Sequence, residues 1–423
     1  MDEQLNDKLK RFSTPDSFER FHRDGWSVAE LLVAAAQFNP SIDVARAKVS
    51  VASAAVKTAK ALPNPTLSLS SEYDLSRAAE SPWLWAMSSD FLLEGSRRKI
   101  RTQLADAGVR VARLDYAEAL WSVRRDLRAS LLSLVIAEQK VAILKLALND
   151  REQLTQQLAR RVALGEAATS ERVQSELELS RSRTALVQAT QQTQQARAHL
   201  AALIGIPLAA LAQQHLRFDD LAAPQSVDAG KLNELRSRAL LSRADLEQAI
   251  IEYQNRELEL HREIRNQYPT FSVAPGYTYD HGVRKATLGI SFSLPVFNRN
   301  QGPIAEAEAQ RTVAEKHLLA VQTQILSEID SARSAVQASI EALNTVREQT
   351  NQARALVAST EHGLAVGTAD RPALLAAKLN ASNDELALLD AEERAQQSIG
   401  LLEDALRAPV SGVELSLHLG EDQ

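Results

Sequence analysis

The amino-acid sequence predicts a mainly α-helical protein with a small β part, in which long antiparallel helical hairpins and four amphipathic strands form a tandem duplication. Three observations predict this fold class. Residues 97–162 contain a single glycine and no proline, other stretches alternate apolar and polar residues with a period of two, and the second half of the chain repeats the order of the first. Ala, Leu, Gln, Glu and Arg are abundant among the 423 residues, and this composition favours long helices.

The first repeat, residues 27–204, is predicted to contain two short helices, a pair of strands and a long helical hairpin. These elements lie at 28–37, 41–61, about 65–75, about 82–93 and 97–204. Within the hairpin, apolar residues recur at intervals of three and four, as in Leu120, Val123 and Leu127. A helix unbroken to residue 162 would be on the order of 100 Å long at about 1.5 Å per residue, so a compact globular domain cannot contain it.

The second repeat, residues 229–409, has the same predicted order. It contains a helix, strands at about 269–280 and 285–295, and a helical hairpin at 300–408. Pro269 repeats Pro65 at an offset of 204 residues, which indicates duplication. The remaining residues form a polar N-terminal segment, an irregular connector and a C-terminal tail, at 1–26, 205–228 and 410–423.

Both strand pairs are amphipathic. Ten of the nineteen aromatic residues fall in or beside them, and Ser and Thr alternate with the apolar side chains. This pattern is typical of a β-barrel that spans lipid around water, and the alternative is a small soluble sheet that caps a helical bundle. Because four strands cannot close such a barrel and an open edge cannot lie in lipid, several chains would have to share one. The predicted lipid-facing residues are Trp83, Trp85, Phe271, Tyr277, Leu288, Ile290 and Phe292.

Composition and charge exclude several classes of function. The formal net charge of -6 and the pI near 5.9 provide no general attraction to nucleic acid. The chain has no cysteine, which excludes disulfides, thiolate metal sites and a lipid-modified cysteine. No run of about 18 apolar residues predicts a transmembrane helix, and residues 1–26 lack the apolar core of a secretory signal.

The sequence contains no catalytic constellation and no cofactor fingerprint, and it predicts neither a cofactor nor a resident metal. The eight histidines are scattered, and none forms the i,i+4 pair of a metalloprotease motif. His261 with Glu263, or His281 with Asp280, could contact a metal in transit, but surface or packing roles are the simpler interpretation. Energy for transport would come from a partner protein, and an enzyme is the class that the sequence supports least.

The order and duplication of these elements resemble the TolC family of outer-membrane efflux channels over about residues 27–410. The resemblance lies in the strand openings PNPTLSLSSEY and YPTFSVAPGYTY, the strand-to-helix passages FLLEGSRRK and LPVFNRNQGPIAEAEA, and the hairpin tips RVALGEAATSERVQSELEL and HGLAVGTADRPALLAAKLN. The FNRNQG passage is most similar to the heavy-metal branch, whose pumps export cobalt, zinc and cadmium or copper and silver.

The resemblance implies a homotrimer in which a shared twelve-stranded β-barrel in the outer membrane continues into a trimeric α-barrel across the periplasm. It implies a passive exit duct, linked by a periplasmic adaptor (membrane fusion) protein to an inner-membrane pump of the resistance-nodulation-division type. The implied cargo is heavy-metal cations. Outer-membrane lipid is a further expected partner, and nucleic acid is not expected. Family members are made with a signal peptide, which we expect to be missing from the sequence as given.

The resemblance also assigns candidate sites. Docking of the adaptor is expected at the hairpin tips, where the glycines also suit the reversal of a helix. The tip residues are Leu164, Gly165, Val366, Gly367 and Thr368, and a possible gate or polar rim consists of Arg161, Asp370 and Arg371. The strand-to-helix passages contain Gly95, Pro295, Asn298 and Gly302, of which Pro295 and Gly302 are expected to permit the change of direction. The constricting Asp rings of the family's prototype correspond here to Ala373 and Ala376, so this chain departs from the prototype's constriction.

The competing interpretation is a soluble or periplasmic coiled-coil scaffold, or the adaptor of an export system, since adaptors also contain long helical hairpins. An adaptor would show one hairpin flanked by lipoyl-like and small β-barrel domains. This sequence predicts two hairpins and two amphipathic strand pairs, which favours the channel.

Overall fold

The structure, a computed structural model, describes residues 26, 28–75, 81–212, 216, 232, 234–237, 239 and 243–410. The helices named here are α1 (Val28–Phe38), α2 (Pro40–Lys60), α3 (Ser96–Ala163), α4 (Thr169–Ile204), α5 (Leu208–Leu211), α6 (Ala244–Arg265), α7 (Gln301–Ala365) and α8 (Arg371–Leu406). The strands are β1 (Thr66–Tyr73), β2 (Trp83–Leu93), β3 (Phe271–Asp280) and β4 (Val283–Phe292). Residues 1–25 of the predicted N-terminal segment, most of the connector and residues 411–423 of the C-terminal tail lie outside the described residues, as do His22, His215 and His418.

Two long helical hairpins dominate the fold. Helices α3 and α7 contain 68 and 65 residues, and α4 and α8 are return helices of 36 residues each. Leu127, Leu131 and Leu134 of α3 are fully buried, as spacing at three and four residues predicts. The predicted mainly helical fold is therefore confirmed. No helix among the described residues combines the length and the apolar character needed to cross a lipid bilayer.

Small hydroxyl residues join the two arms of each hairpin. The hydroxyls of Thr155 and Ser175 are 2.7 Å apart in the first hairpin, and those of Ser339 and Ser398 are 2.6 Å apart in the second. Because these side chains are short and also bond to backbone carbonyls of their own helices, they satisfy their polar atoms while the two helices pack closely.

The four strands form one antiparallel sheet in the order β1-β2-β3-β4. Each repeat contributes one strand pair, and the two pairs are joined by β2 and β3, which pair from Leu84 with Asp280 to Leu93 with Phe271. The amphipathic strands predicted from the period-two pattern are thus brought into a single sheet.

The start of β4 differs from the sequence prediction. The strand spans Val283–Phe292 rather than 285–295. His281 and Gly282 both have positive φ, of 46° and 103°, and form a two-residue turn after which Val283 pairs directly with Asp280. The strand therefore begins two residues earlier than the apolar pattern indicates.

The end of β4 also differs. Phe292 pairs with Phe271, the first residue of β3, so the pairing stops there. Leu294 continues the apolar alternation but lies beyond the strand, and the next residue, Pro295, has no N–H group to donate to a ladder.

The chain divides into two compact units. One contains Met1–Asp43, Ala117–Arg243 and Gln324–Gln423, and the other contains Val44–Tyr116 and Ala244–Thr323. Each unit contains residues from both repeats. The first contains the turns of both hairpins, and the second contains all four strands.

Candidate functional site

The pairing register places most of the large apolar side chains of all four strands on one face of the sheet. Residues that pair directly across antiparallel strands point to the same side, and Leu69 pairs with Met87, Met87 with Tyr277, and Tyr277 with Ala286. The other large members of this apolar face are Leu67, Tyr73, Trp83, Trp85, Phe91, Leu93, Phe271, Val273, Tyr279, Leu288, Ile290 and Phe292. All seven residues predicted to face lipid lie on this apolar face.

The apolar face is uncovered in the single chain. None of its large side chains is buried, and Leu69 and Leu288 are 71% and 69% exposed. Scattered exposed apolar residues are normal on soluble proteins, whereas a contiguous face of this size marks a surface that binds another apolar phase or a partner.

Aromatic side chains concentrate at the two ends of the apolar face. Near the turns, Tyr73 packs edge to face on Trp83 with ring centroids 4.8 Å apart, and Trp83 stacks on Trp85 at 5.5 Å. Near the helices, Phe271 contacts Phe292 with centroids 5.8 Å apart. The rows between these two bands contain mainly aliphatic side chains.

The opposite face of the sheet is mainly small and polar. Its members include Ser68, Ser70, Ala86, Ser88, Asp90, Ser272, Ala274, Gly276, Thr278, Thr287, Gly289 and Ser291, and Leu84, Leu92 and Val283 are its larger apolar exceptions. The Ser272 hydroxyl donates to Asp90 Oδ2 at 3.3 Å, and Lys285 forms an ion pair with Asp280. This face is suited to water.

Strands β1 and β4 form the edges of the sheet. Neither pairs with a second strand in the part of the chain that the structure describes. Each edge therefore has a row of backbone N–H and C=O groups that a further strand can pair with.

The first hairpin tip ends α3 with a left-handed glycine. Gly165 has φ 78°, its N–H donates to Val162 O at 3.0 Å, and the N–H of Glu166 donates to Arg161 O at 2.8 Å. These two bonds define a Schellman motif, which satisfies carbonyls at the end of the helix. The reversal of the chain thus requires the backbone conformation that glycine adopts most easily.

The second tip repeats the same motif. Gly367 has φ 81°, its N–H donates to Leu364 O at 3.3 Å, and the N–H of Thr368 donates to Gly363 O at 2.8 Å. Since Gly367 follows Gly165 at an offset of 202 residues, the duplication preserves the turn chemistry as well as the sequence.

Both tips expose apolar and small residues. Leu164 and Val366, each just before the tip glycine, are 73% and 59% exposed. The tip glycines and Thr368 are exposed as well. The structure therefore presents the five predicted docking residues at two similar surfaces.

The predicted gate residues have separate local roles. Asp370 is the N-cap of α8, because its Oδ1 accepts the N–H of Ala373 at 2.8 Å. Arg371 donates from Nη2 to Gln153 Oε1 in α3 at 3.2 Å, which connects the second hairpin to the first. Arg161 is half-buried. Among the described residues, no salt bridge joins Arg161 to Asp370.

The return helix of the first tip begins differently. Its N-cap is Ala168, which has no side-chain acceptor, and the helix begins at Thr169. Glu171 partly compensates, because its carboxylate accepts the Ala168 N–H at 3.3 Å. Thr169 and Ser170 therefore lie inside the first turn of the helix rather than at its cap.

The strand-to-helix passages use two different left-handed residues. Gly95, with φ 55°, occupies the turn between β2 and α3. In the second passage the left-handed residue is Asn300, with φ 61°, and its N–H donates to the Asn298 side chain at 2.8 Å. Gly302 lies inside the first turn of α7, so it does not make the change of direction expected of it.

A side chain of each passage donates a hydrogen bond to a backbone carbonyl near the end of the preceding helix, and the two carbonyls occupy equivalent positions in the two repeats. We call this hydrogen bond the tie. Arg101 donates to Ala59 O at 2.9 Å, and Asn300 donates to Glu263 O at 2.8 Å. Glu263 follows Ala59 at the repeat offset of 204 residues. The two repeats thus make an equivalent tie with unlike side chains.

Charged side chains strengthen each tie. Glu94 accepts two hydrogen bonds from Arg101, at 2.7 and 3.0 Å, and these bonds lower the pKa of Glu94. Burial raises the pKa of Glu263, but hydrogen bonds from Asn300, Asn266 and Arg262 outweigh burial and lower it overall. Both carboxylates are therefore held in the ionised form.

A buried ionic cluster that no sequence motif indicates joins α3 to the end of α8. Arg124 Nη2 lies 3.0 Å and Arg128 Nε 3.4 Å from Glu403 Oε2, and Arg128 also bonds to Gln396. Arg124 and Glu403 are 279 residues apart, so local patterns cannot pair them. The signal that could have found the cluster is the i,i+4 placement of the two arginines beside Leu127 on the buried side of α3.

The histidines that the structure describes do not assemble a metal site. No group of three or more His, Asp or Glu side chains in the described part of the chain is arranged to hold a metal ion. His281 donates from Nδ1 to Ser81 O at 2.7 Å, and its Nε2 lies 3.9 Å from Asp280 Oδ1. His261 is exposed on α6.

Comparison with known proteins identifies a family. The outer membrane efflux protein family matches residues 31–206 and 235–406, which together make up most of the chain. The cobalt-zinc-cadmium resistance protein CzcC of Cupriavidus metallidurans is 29% identical over 255 residues, or 54% of this chain and 58% of CzcC. The chain thus aligns with less than two thirds of that relative's length.

Solved structures share the fold over almost the whole chain. The outer membrane protein VceC of Vibrio cholerae superposes with a TM-score of 0.72 at 19% identity and covers 91% of this chain and 97% of its own. The outer membrane channel CmeC of Campylobacter jejuni gives a TM-score of 0.75 at 15% identity over 93% of this chain and 88% of its own. At these identities the likeness establishes the fold.

Proposed function

The chain belongs to the outer membrane efflux protein family, and we propose that it is the passive exit duct of a tripartite efflux system. Three copies form a homotrimer whose sheets share one twelve-stranded barrel in the outer membrane, and the long helices continue into the periplasm. A periplasmic adaptor docks on the hairpin tips and connects the duct to an inner-membrane pump. The duct performs no catalysis, and the pump supplies the energy.

The observation that carries this proposal is the apolar face of the sheet with its two aromatic bands. β2 contains 11 residues, about 35 Å of strand, and a tilt of about 40° would reduce this length to about 27 Å along the membrane normal. A lipid-facing band about 25 Å tall between aromatic girdles is the pattern of outer-membrane barrels. The polar opposite face then lines a water-filled lumen.

The open edges support a barrel built from several chains. In lipid the unpaired groups of β1 and β4 would each cost several kcal/mol, on the order of the desolvation of an amide. Pairing of β4 of one copy with β1 of the next removes every edge when the ring closes. With the four strands that the structure describes in each chain, three copies give the twelve strands expected of the family.

The tips support docking of an adaptor. Leu164 and Val366 are exposed beside glycine turns that backbone hydrogen bonds close, and a preorganised turn presents its side chains at little entropic cost on binding. The two tips share one geometry, so a trimer would offer six similar docking points.

The proposed cargo is heavy-metal cations. This finer assignment is supported by the similarity to CzcC, whose name states cobalt-zinc-cadmium resistance, and by the FNRNQG passage. It is tested by growth on cobalt, zinc or cadmium of a host whose metal pump and adaptor are intact but whose own duct is deleted. Restored growth on metals supports the assignment, and restored tolerance of organic drugs alone would contradict it.

Quenching of tryptophan fluorescence tests the membrane role of the sheet. The chain has four tryptophans, and Trp83 and Trp85 lie on the apolar face. In vesicles with brominated acyl chains we expect quenching in the wild type and its loss in the W83F/W85F variant, which keeps Trp26 and Trp121. Quenching that persists unchanged in W83F/W85F would contradict a lipid-facing sheet, and the absence of quenching in the wild type would favour a soluble scaffold.

A further inference from the structure

Cationic side chains cluster where the sheet ends and the helices begin. We name this cluster the basic collar, and it consists of Lys60, Arg97, Arg98, Lys99, Arg265 and Arg299. Lys60 and Arg265 end α2 and α6, Arg97 to Lys99 begin α3, and Arg299 precedes α7. Because Leu93 pairs with Phe271 and Phe271 with Phe292, these helix ends all adjoin the same end of the sheet.

The carboxylates at this end are already engaged. Glu94 is held by Arg101, and Glu263 is held by Arg262 at 3.0 Å and by Asn300. In the described part of the chain no salt bridge joins a member of the basic collar to an acidic side chain. A chain with a net charge of -6 thus presents a positive surface at one end of its sheet.

The local fold accounts for only part of the basic collar. Lys60 and Arg265 lie in last helical turns, where a cation is favourable beside free carbonyls. Arg97, Arg98 and Lys99 lie in the first turn of α3, which contains no acidic residue. Cations at that end oppose the helix dipole. Within the chain, Arg97 donates to Tyr268 O at 3.4 Å, and Arg97 and Arg98 are attracted to Glu94, which Arg101 already holds. An anionic partner from outside the chain would therefore stabilise this cluster further.

The surroundings of the basic collar indicate the partner. The apolar face ends beside it at Leu93, Phe271 and Phe292. In the second passage, Val296 is 68% exposed and Phe297 is completely exposed. Exposed apolar side chains next to cations that form no salt bridge among the described residues suit the boundary between acyl chains and phosphate groups of a bilayer.

We propose that the basic collar binds the headgroups of anionic phospholipids in the leaflet that adjoins the helices. Arg97, Arg98 and Lys99 contact the phosphates, and Val296 and Phe297 lie among the neighbouring acyl chains. This inference rests on the proposed function, since it requires the sheet to span the membrane. The turn end of the sheet differs, because Lys285 there is paired with Asp280, and Arg284 is the single exposed cation of the described strands at that end without a salt bridge.

Lipid retention tests the proposal. The full chain is extracted in detergent, stripped of lipid and mixed with equal amounts of phosphatidylglycerol and phosphatidylcholine, and native mass spectrometry counts each lipid retained. We expect the wild type to prefer phosphatidylglycerol and the R97Q/R98Q/K99Q variant to lose about tenfold or more of that preference. Each cation near an anionic lipid surface contributes roughly a fivefold preference.

A matched control separates this effect from a change in net charge. The R113Q/K145Q/R160Q variant removes three exposed cations from the same helix, away from the sheet, and should retain the wild-type preference. The single variants R98Q and K99Q keep the test decisive if the triple variant misfolds, because each should lower the preference in part.

Two results would overturn the inference while leaving the proposed function intact. One is equal retention of both lipids by a wild-type chain whose tryptophans are quenched in vesicles. The other is an unchanged preference in the folded R97Q/R98Q/K99Q, R98Q and K99Q variants. A wild-type chain that remains outside the bilayer overturns the proposed function, and the lipid site with it.

Discussion

At the residue scale, the backbone of the tips was predictable and that of the second passage was not. A glycine after a long helical pattern predicts a left-handed cap, and Gly165 and Gly367 adopt it. In the second passage the same reasoning selects Gly302, whereas the left-handed residue is Asn300. Asparagine tolerates this conformation, and its amide bonds to Glu263, 37 residues away. A contact between residues so far apart in the chain cannot be predicted from the local sequence pattern.

Gly205 gives a residue-scale prediction. It has φ 86°, and an added Cβ would lie 2.2 Å from the Phe38 carbonyl oxygen at the contact of α4 with α1. We expect Gly205→Ala to lower the free energy of unfolding by at least about 2 kcal/mol, from left-handed strain together with this clash. Chemical denaturation measures the change. The control is Gly302→Ala, because an added Cβ there meets open space within a helix and should not destabilise the fold. An equal loss of unfolding free energy in the two variants would contradict this role of Gly205.

Asp370 gives a second residue-scale prediction, which separates a cap from a gate. Asp370→Ala should destabilise the start of α8 by about 1 kcal/mol, and Asp370→Asn should keep the cap almost intact. Hydrogen exchange of the amides in the first turn of α8 measures this difference. If Asp370 acts as a gate charge, Asp370→Asn will change channel conductance as much as Asp370→Ala does, although it keeps the cap. Wild-type conductance in the Asn variant would contradict a gate role.

At the element scale, the period of the side-chain pattern predicted the helices and strands, but not where pairing begins and stops. The apolar alternation continues to Leu294, yet β4 ends at Phe292, where β3 has no further residue to pair with. The tie at Ala59 and Glu263 is likewise invisible in the sequence, because one repeat makes it with arginine and the other with asparagine. The duplication preserves the acceptor position rather than the donor.

The Glu94–Arg101 pair gives an element-scale prediction about pH. The pKa of Glu94 is lowered in the folded chain below its ordinary value of 4.5, so the pair stabilises the fold fully above about that pH and less as the pH falls through the folded pKa. The wild type should melt at a higher temperature than Glu94→Gln at pH 7, and the difference should shrink below pH 4. A difference that is constant with pH would contradict this role of the carboxylate.

At the scale of the whole molecule, the duplication and the two hairpins could be predicted because each repeat has its own pattern. The single four-stranded sheet could not, since the pairing of β2 with β3 joins residues almost 200 positions apart. The two compact units cut across the repeats for the same reason. The ionic cluster of Arg124, Arg128 and Glu403 is another contact between the repeats that only the fold reveals.

The central claim is that three chains close one barrel through their β1 and β4 edges, and disulfide cross-linking tests it most directly. The chain has no cysteine, so Ser70→Cys in β1 can be combined with a cysteine at one of four β4 positions, Lys285, Thr287, Gly289 or Ser291, to find the register. The chain is produced behind a signal segment, and the outer-membrane fraction is oxidised and run under denaturing conditions. We predict a covalent trimer, with no larger species, for at least one of the four cysteine pairs. If all four pairs give only monomers, or if any pair gives cross-linked species of more than three chains, the closed trimeric barrel is contradicted.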